Sequence, residues 1–415
     1  MRPPASQILQ IVTLSLGFVA CTGREPKVEQ YITMSEIPSP TGPNSGEPFL
    51  SYSSKNILIM SWLQREPDSS TVSMRLASLD SSGAWSAPAE IVRAKDLFVN
   101  WADFPSVVPL ASGKLLAHWL QRNGTGRYSY DVRISESTDG GRSWSQSVTP
   151  HSPGIAAEHG FATILPRKDS TADIFFLNGS PAPAGASEGR GPPMRLAHAR
   201  WNASGSVAGP EATLDDRICD CCQTAAALTT RGPVVLYRDR SDKENRDISV
   251  TRFTGGAWTP PTPLHADGWI IDACPVNGPA ISASGDKVAA VWFTGARDTA
   301  KVQLVFSNDA GATFGPPVRI DAGLPSGRVD VEMLAGGEAL VSWIERTAKD
   351  ASEVRARIVK ADGTALPSVT LSALPGGRAS GFPRMVRRGD DVVLAWTVPG
   401  ASSQVRLASL RIAPH

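Results

Sequence analysis

Two short stretches hold the reactive side chains whose spacing stands out. Cys219-Asp220-Cys221-Cys222 places three thiols in four positions, and Ala273-Cys274-Pro275 adds a fourth further along. Four sulfurs support two kinds of chemistry. In an oxidising compartment they form disulfides, with Cys274 joined to one of the three and room for a second bridge. As thiolates they bind a soft metal, with His159 or Asp220 helping. Vicinal cysteines bond each other only under strain, and Cys219 and Cys221 point the same way on a strand. Paired Cys-x-x-Cys zinc signatures are absent. The expectation is therefore disulfides with no cofactor and no assigned metal. A thiolate-bound metal and a redox-active pair are the alternatives. No zincin, phosphate-loop or dinucleotide motif appears.

The elements that must position these groups repeat. A short apolar run ending in an aromatic residue recurs at Ile57–Trp62, Leu115–Trp119, Asp173–Phe176, Val234–Tyr237, Val288–Trp292, Ala339–Trp343 and Val392–Trp396. The spacing is about 56 residues. An alternating apolar/polar run follows each, as at Met74–Ser78, Val132–Glu136 and Val302–Phe306, the pattern of a half-buried strand. A second aromatic series, Trp85, Trp144, Trp201, Trp258 and Phe314, keeps step with the first. Each unit holds about four short strands and cannot bury its faces alone. Radial packing solves that, so the expected fold is an all-β propeller of four-stranded blades. Seven copies predict seven blades; six blades with one irregular unit is the alternative. The last unit has room for three strands, and Val28–Thr33 can supply the fourth.

Two turns carry a family likeness. Ser137-Thr-Asp139-Gly-Gly-Arg-Ser-Trp144 and Ser307-Asn-Asp309-Ala-Gly-Ala-Thr-Phe314 resemble the Asp-box, Ser-x-Asp-x-Gly-x-x-Trp, of the sialidase (neuraminidase) superfamily. The carboxylate can accept backbone N–H groups of its turn and the glycine permits tight geometry. The resemblance implies a single sialidase-like propeller over residues 45–412. It also makes Asp139 and Asp309 structural, on the face opposite the ligand.

On propellers generally, ligands sit where the loop entering each innermost strand meets the loop after the second strand. That face collects Glu47, Asp103, Glu158, His159, Asn277, Arg328 and Asp330 at the entrances, with the cysteines. The ends of the second strands bring Arg65, Arg122, Arg240, Arg297 and Arg346. Arginines facing carboxylates suit an anionic or carbonyl-rich ligand. Trp101 and Trp269 fall outside both aromatic series and offer stacking surfaces for a sugar ring. The superfamily uses an arginine triad, a tyrosine nucleophile with a partner glutamate, and an aspartate acid/base. Its Arg-Ile-Pro motif is absent; Gly46-Glu47-Pro48-Phe49 stands there, so the triad does not map. By position, Tyr128 and Tyr130 are the nucleophile candidates, Glu158 the partner and Asp103 the acid. The loop 180–193 can serve as a lid.

The expected function is binding or hydrolysis of a glycan or related anionic ligand, exo-sialidase-like or glycosidase-like. The alternatives are a non-catalytic binding or scaffold protein, and a thiolate metal or redox protein built on the cysteine cluster. Composition agrees. The 415 residues carry 41 Lys plus Arg against 40 Asp plus Glu, a net charge of +1. That balance speaks against a nucleic-acid partner. Hydrophobic residues at 41% can fill a core, and a monomer is expected.

The amino-terminus fixes an address. An apolar stretch from Ile8 to Ala20 precedes Cys21. It is too short to span a bilayer and fits a signal peptide. Phe18-Val-Ala-Cys21 resembles a bacterial lipobox, which makes Cys21 the lipidated first residue and anchors the protein in the cell envelope. Thr22 in place of Asp points to the outer membrane. The expected organisation is a signal peptide over 1–20, a lipidated tether over 21–44 and the propeller beyond. Intact-mass analysis of protein from a bacterial membrane fraction should find Cys21 as an acylated first residue. A chain retaining Met1, or cleaved without lipid, contradicts this.

Overall fold

The computed structural model describes Met1 and residues 31–68, 70–180 and 193–413. Cys21, the signal peptide and most of the loop 180–193 lie outside the described residues. The rest forms seven antiparallel sheets arranged in a ring. The inner strands are Ser45–Tyr52, Ser106–Pro109, His159–Pro166, Ala225–Thr229, Ala280–Ser284, Pro325–Met333 and Arg384–Arg388. Each packs beside the inner strand of the next blade, and the seventh packs against the first.

The second strand of each blade explains why the repeat is legible. Leu58–Arg65 is buried at seven consecutive positions, because both faces of a blade are covered by neighbouring blades. Trp62 of blade one packs with Val393 and Ala395 of blade seven, and Trp396 packs with Ile344 and Val354 of blade six. An indole N–H buried this way needs an acceptor. Trp62 donates to Gln64 at 3.3 Å, Trp119 to Gln121 at 3.4 Å and Trp343 to Glu345 at 2.6 Å. A spacing of two keeps donor and acceptor on one face of the strand.

The ring closes through the amino-terminal strand. Ile32–Ile37 pairs with Gln404–Ile412, in register from Ile32 opposite Ile412 to Ile37 opposite Leu407. The strand thus runs to Ile37, beyond the 28–33 segment expected from sequence; residues 28–30 lie outside the described residues. Its anchors set this register. Ile32 is buried with Leu410 and Ile358, and Ile37 packs against the core shared by blades one and seven.

The two Ser-x-Asp turns share one hydrogen-bond pattern. Asp139 Oδ1 accepts N–H groups of Arg142 and Ser143 at 3.0 and 2.9 Å, and Asp309 Oδ1 accepts that of Thr313 at 2.9 Å. Ser137 and Ser307 each donate to their aspartate and accept the N–H of Gly141 or Gly311. These bonds hold Asp139 and Asp309 near pKa 2, chiefly through Ser143 for Asp139 and against some burial for Asp309. Both turns end third strands, at the face away from the inner-strand entrances. Each turn glycine has a positive φ and presses on the preceding blade; a Cβ on Gly141 would lie 3.0 Å from Leu76 Cδ2. Gly141→Ala should therefore destabilise the protein by about 1–3 kcal/mol, from strain and overpacking. Gly140→Ala, also at positive φ but in open space, should cost less. Paired denaturant titrations measure the difference, and equal losses would discard the inter-blade contact.

Candidate functional site

The inner strands converge on a narrow axis, and side chains from one blade hold the entrance of the next. Asp103 Oδ1 accepts the N–H of Phe161 at 2.8 Å. Gln223 Oε1 accepts that of Gly278 at 2.8 Å, Asn277 Oδ1 that of Arg328 at 2.8 Å, and Asp330 Oδ2 that of Met385 at 2.7 Å. Several entrance residues are left-handed: Glu47 (φ 50°), Phe161 (51°), Val276 (49°) and Arg328 (55°). Register shifts accompany them in blades one, three and six. These are bulges that turn side chains toward the axis.

One loop covers the axis. Trp101–Phe104, from blade two, reaches across so that Ala102 O accepts from Gln223 of blade four. Trp101 stacks on Phe382 of blade seven at 5.9 Å. Beneath lies a cavity of about 150 Å³ to which every blade contributes, with Asp103, His118, Thr163, Asp330 and Arg384 among its polar lining. His118 binds Ser106 Oγ at 2.8 Å, and burial pushes its pKa down to about 4.

At the edge of this cap sit three acidic or phenolic groups in contact. Tyr130 Oη donates to Glu158 Oε1 at 2.7 Å and lies 3.2 Å from Asp103 Oδ2. Tyr130 opens the third strand of blade two, and Glu158 stands just before the inner strand of blade three, bridged to it in parallel. Tyr130 and Asp103 are buried; Glu158 is half-buried. Burial raises all three pKa values: Asp103 to about 7, Glu158 to about 8, Tyr130 well above its usual value. For Glu158 the Tyr130 hydrogen bond opposes the rise, while Asp103 and Asp220 add to it. Phe98 stacks on Tyr130 at 4.0 Å, and exposed Tyr128 meets the edge of Phe98. Gly160 makes the cluster possible, since a Cβ there would fall 2.2 Å from Asp103 Oδ2 and 2.7 Å from Tyr130 Cε2.

The other expected site residues divide. Arg65, Arg122, Arg297 and Arg346 are exposed on this face, and Arg122 lies over Phe98 at 5.2 Å. Glu47 is half-buried with its pKa raised to about 7 by burial, against the pull of Arg65. Arg240 is engaged instead, paired with Glu244 at 2.9 Å and beside Asp220 at 3.8 Å; Arg246 closes the cluster on the same two carboxylates. Arg328 is a clamp: it donates to Ser380 Oγ and to the carbonyls of Gly377 and Gly381, under the Trp101 ring. Asn277 and Asp330 are spent on the entrance bonds. His159 is buried, bound to Asn178 and stacked on His151. Trp269 is not an open stacking surface; it is 7% exposed, beneath Arg238 and against Phe293. Trp101 keeps one half-buried ring, shared with Arg328 and Arg378. Tyr130 belongs to a strand, not a loop.

The four cysteines lie together on this face. Cys219 pairs with Cys222, and Cys221 with Cys274. Cys219 and Cys222 are buried, whereas Cys274 is exposed. The second bridge ties blade four to blade five beside Asp220.

No protein-family model and no curated protein matches the chain. Solved structures do. A Dyadobacter fermentans protein of unknown function is 13% identical with a TM-score of 0.55, covering 92% of this chain and 100% of that one. An ulvan lyase, a polysaccharide lyase, is 10% identical at 0.55, covering 90% and 95%. The endosialidase of phage phi92 is 10% identical at 0.50, covering 93% and 70%. The chain has a sialidase-like propeller fold. At these identities the likeness concerns the fold alone.

Asp103 generates a pH test. Its folded pKa of about 7 exceeds the usual Asp value of about 3.9, so folding holds its proton between those limits. That stabilisation is complete below about pH 4 and fades as pH rises through 7. Asp103→Asn keeps the acceptor for Phe161 N–H, so the decline in stability from pH 4 to 7 should become shallower. An unchanged slope in denaturant titrations would show that Asp103 ionises freely.

Proposed function

We propose that this protein binds and cleaves a glycan carrying anionic groups, with Tyr130, Glu158 and Asp103 as the reacting side chains. The observation that carries this is the 2.7 Å bond from the Tyr130 phenol to Glu158, with Asp103 at 3.2 Å. A phenol is a poor nucleophile until a base takes its proton. Glu158, in its ionised form, which a pKa of about 8 makes the minor one at neutral pH, stands at the correct distance to do so as Tyr130 Oη attacks the anomeric carbon. Asp103, whose pKa is raised to about 7 so that its protonated form is well populated at neutral pH, supplies the proton to the departing oxygen. Water then cleaves the tyrosyl–sugar bond, with Asp103 taking the water's proton and Glu158 returning its proton to the released Tyr130 phenolate. The substrate must displace Phe98 to reach Tyr130. Exposed Arg65, Arg122, Arg297 and Arg346 give the rim a positive field for carboxylate or sulfate groups. The lipobox-like sequence supports a location in the cell envelope, where polymers outside the cytoplasm would be the substrates.

A binding-only reading rests on one specific observation: Tyr130 is fully buried beneath Phe98. One experiment separates the two. The protein is screened against sialylated, uronic-acid and sulfated oligosaccharides for both retention and product. Tyr130→Phe and Glu158→Gln should retain binding and fold while turnover falls about 10²–10⁴-fold. Affinity without product in the wild type would establish the binding module. Full turnover in Tyr130→Phe would remove the phenol from the mechanism.

A further inference from the structure

Directly behind the Tyr130–Glu158 pair, the next residue on each strand contributes to a second cluster. Asp131 follows Tyr130, His159 follows Glu158, and His151 packs on both. Candidate ligand atoms of Asp131, His151 and His159 lie within 4.8 Å of one another. His151 Nε2 is 3.7 Å from Asp131 Oδ1, too far for a hydrogen bond. It is buried and has no partner, although an unpartnered buried polar atom normally carries a cost of about 1–3 kcal/mol.

The other ring nitrogens show why those atoms face inward. His151 Nδ1 lies 3.2 Å from the Ser152 carbonyl, to which it can only donate. His159 Nδ1 lies 2.8 Å from Asn178 Oδ1, and Asn178 reaches Glu211 at 3.5 Å. With His151 Nδ1 protonated toward its carbonyl acceptor, the His151 Nε2 lone pair turns to the Asp131 side; His159 Nε2 contacts the Ile155 carbonyl at 3.2 Å and would exchange that contact for the metal. A metal-bound histidine is oriented in this way, its second nitrogen held by a carbonyl or carboxamide. Asp131 is itself fixed, accepting from Asn123 Nδ2 at 2.6 Å.

We infer that Asp131, His151 and His159 form a binding site for one divalent transition-metal ion of the Zn²⁺ class. Two imidazoles and one carboxylate suit zinc or its neighbours and disfavour calcium or magnesium, which take oxygen shells. Metal bonds of about 2.0–2.2 Å draw the three atoms together and turn the imidazoles out of their 3.9 Å stack. The Ile155 carbonyl, 3.2 Å from His159 Nε2, stands at the open side. The site does not depend on the reaction proposed above. Its location means that the ion would pin the two strand ends carrying Tyr130 and Glu158.

The test is metal binding, read without any activity. Chelator-stripped protein with its disulfides intact is titrated with Co²⁺ and, by competition, with Zn²⁺. The expected result is one equivalent with visible d–d absorption and no sulfur-to-cobalt charge transfer. His151→Ala should abolish that absorption, and Asn178→Ala, which releases His159, should weaken binding about 10–100-fold. The wild type supplies a readout free of folding effects: Zn²⁺ should shift the Nε2 resonances of two of the 6 histidines. Thiolate charge transfer, a spectrum no different from aqueous cobalt, or binding unchanged in a folded His151→Ala would each overturn the site.

Discussion

The structure turns on the backbone hydrogen bonds that pass from blade to blade around the axis. Seven inner strands converge on one axis, and several of their entrances are satisfied by side chains of the preceding blade. Asp103, Gln223, Asn277 and Asp330 each accept an N–H from the following blade. These bonds hold left-handed Phe161 and Arg328 in place, where such backbone costs about 1–3 kcal/mol unless its surroundings impose it. The same bonds determine what faces outward. With Phe161 fixed by Asp103, Glu158 and Gly160 are carried to Tyr130.

The electrostatics follow from that geometry. The bonds that satisfy the entrances also bury the carboxyl groups that make them, so Asp103 sits in a poor medium for charge. Its neighbour Tyr130 sees two carboxyl groups and no cation among its hydrogen-bond partners. Arg240 and Arg246 are near, but they answer Asp220 and Glu244. Glu158 thus stays poised near neutrality, where proton transfer in either direction costs least.

Architecture was legible in the sequence because it is written in large, periodic residues. An aromatic residue near the end of each second strand, tryptophan in five of the seven copies, is buried, and Trp62 and Trp396 pack against the preceding blade, so burial and period coincide. The Ser-x-Asp turns were legible because all their bonds are local. The site was legible in part. Asp103, Glu158 and Tyr130 could be proposed from loop position and side-chain chemistry, but their contact depends on Gly160 and Phe98, which advertise nothing. Arg328 and Trp269 read as ligand-facing because nothing local reveals Ser380 or Arg238 as partners, whereas the partner of Arg240, Glu244, stands only four residues on and was open to a local reading. His151 lies in a loop with no repeat signal, so its meeting with His159 needed three-dimensional packing. A side chain's purpose escapes a linear reading when its partner belongs to another blade.

The closure of blade seven has a consequence for how the ring is made. Residues 32–37 leave the ribosome before the strands they help to enclose, while their partners at 407–412 come after all the other blades. Every blade but the seventh can assemble as its own hairpins emerge, since those pairings are sequential. The seventh must wait, and until then the 32–37 strand lacks its partner, an edge open to wrong association. The first strand of the ring is the last to be paired, so the ring closes only after its seventh blade has been made.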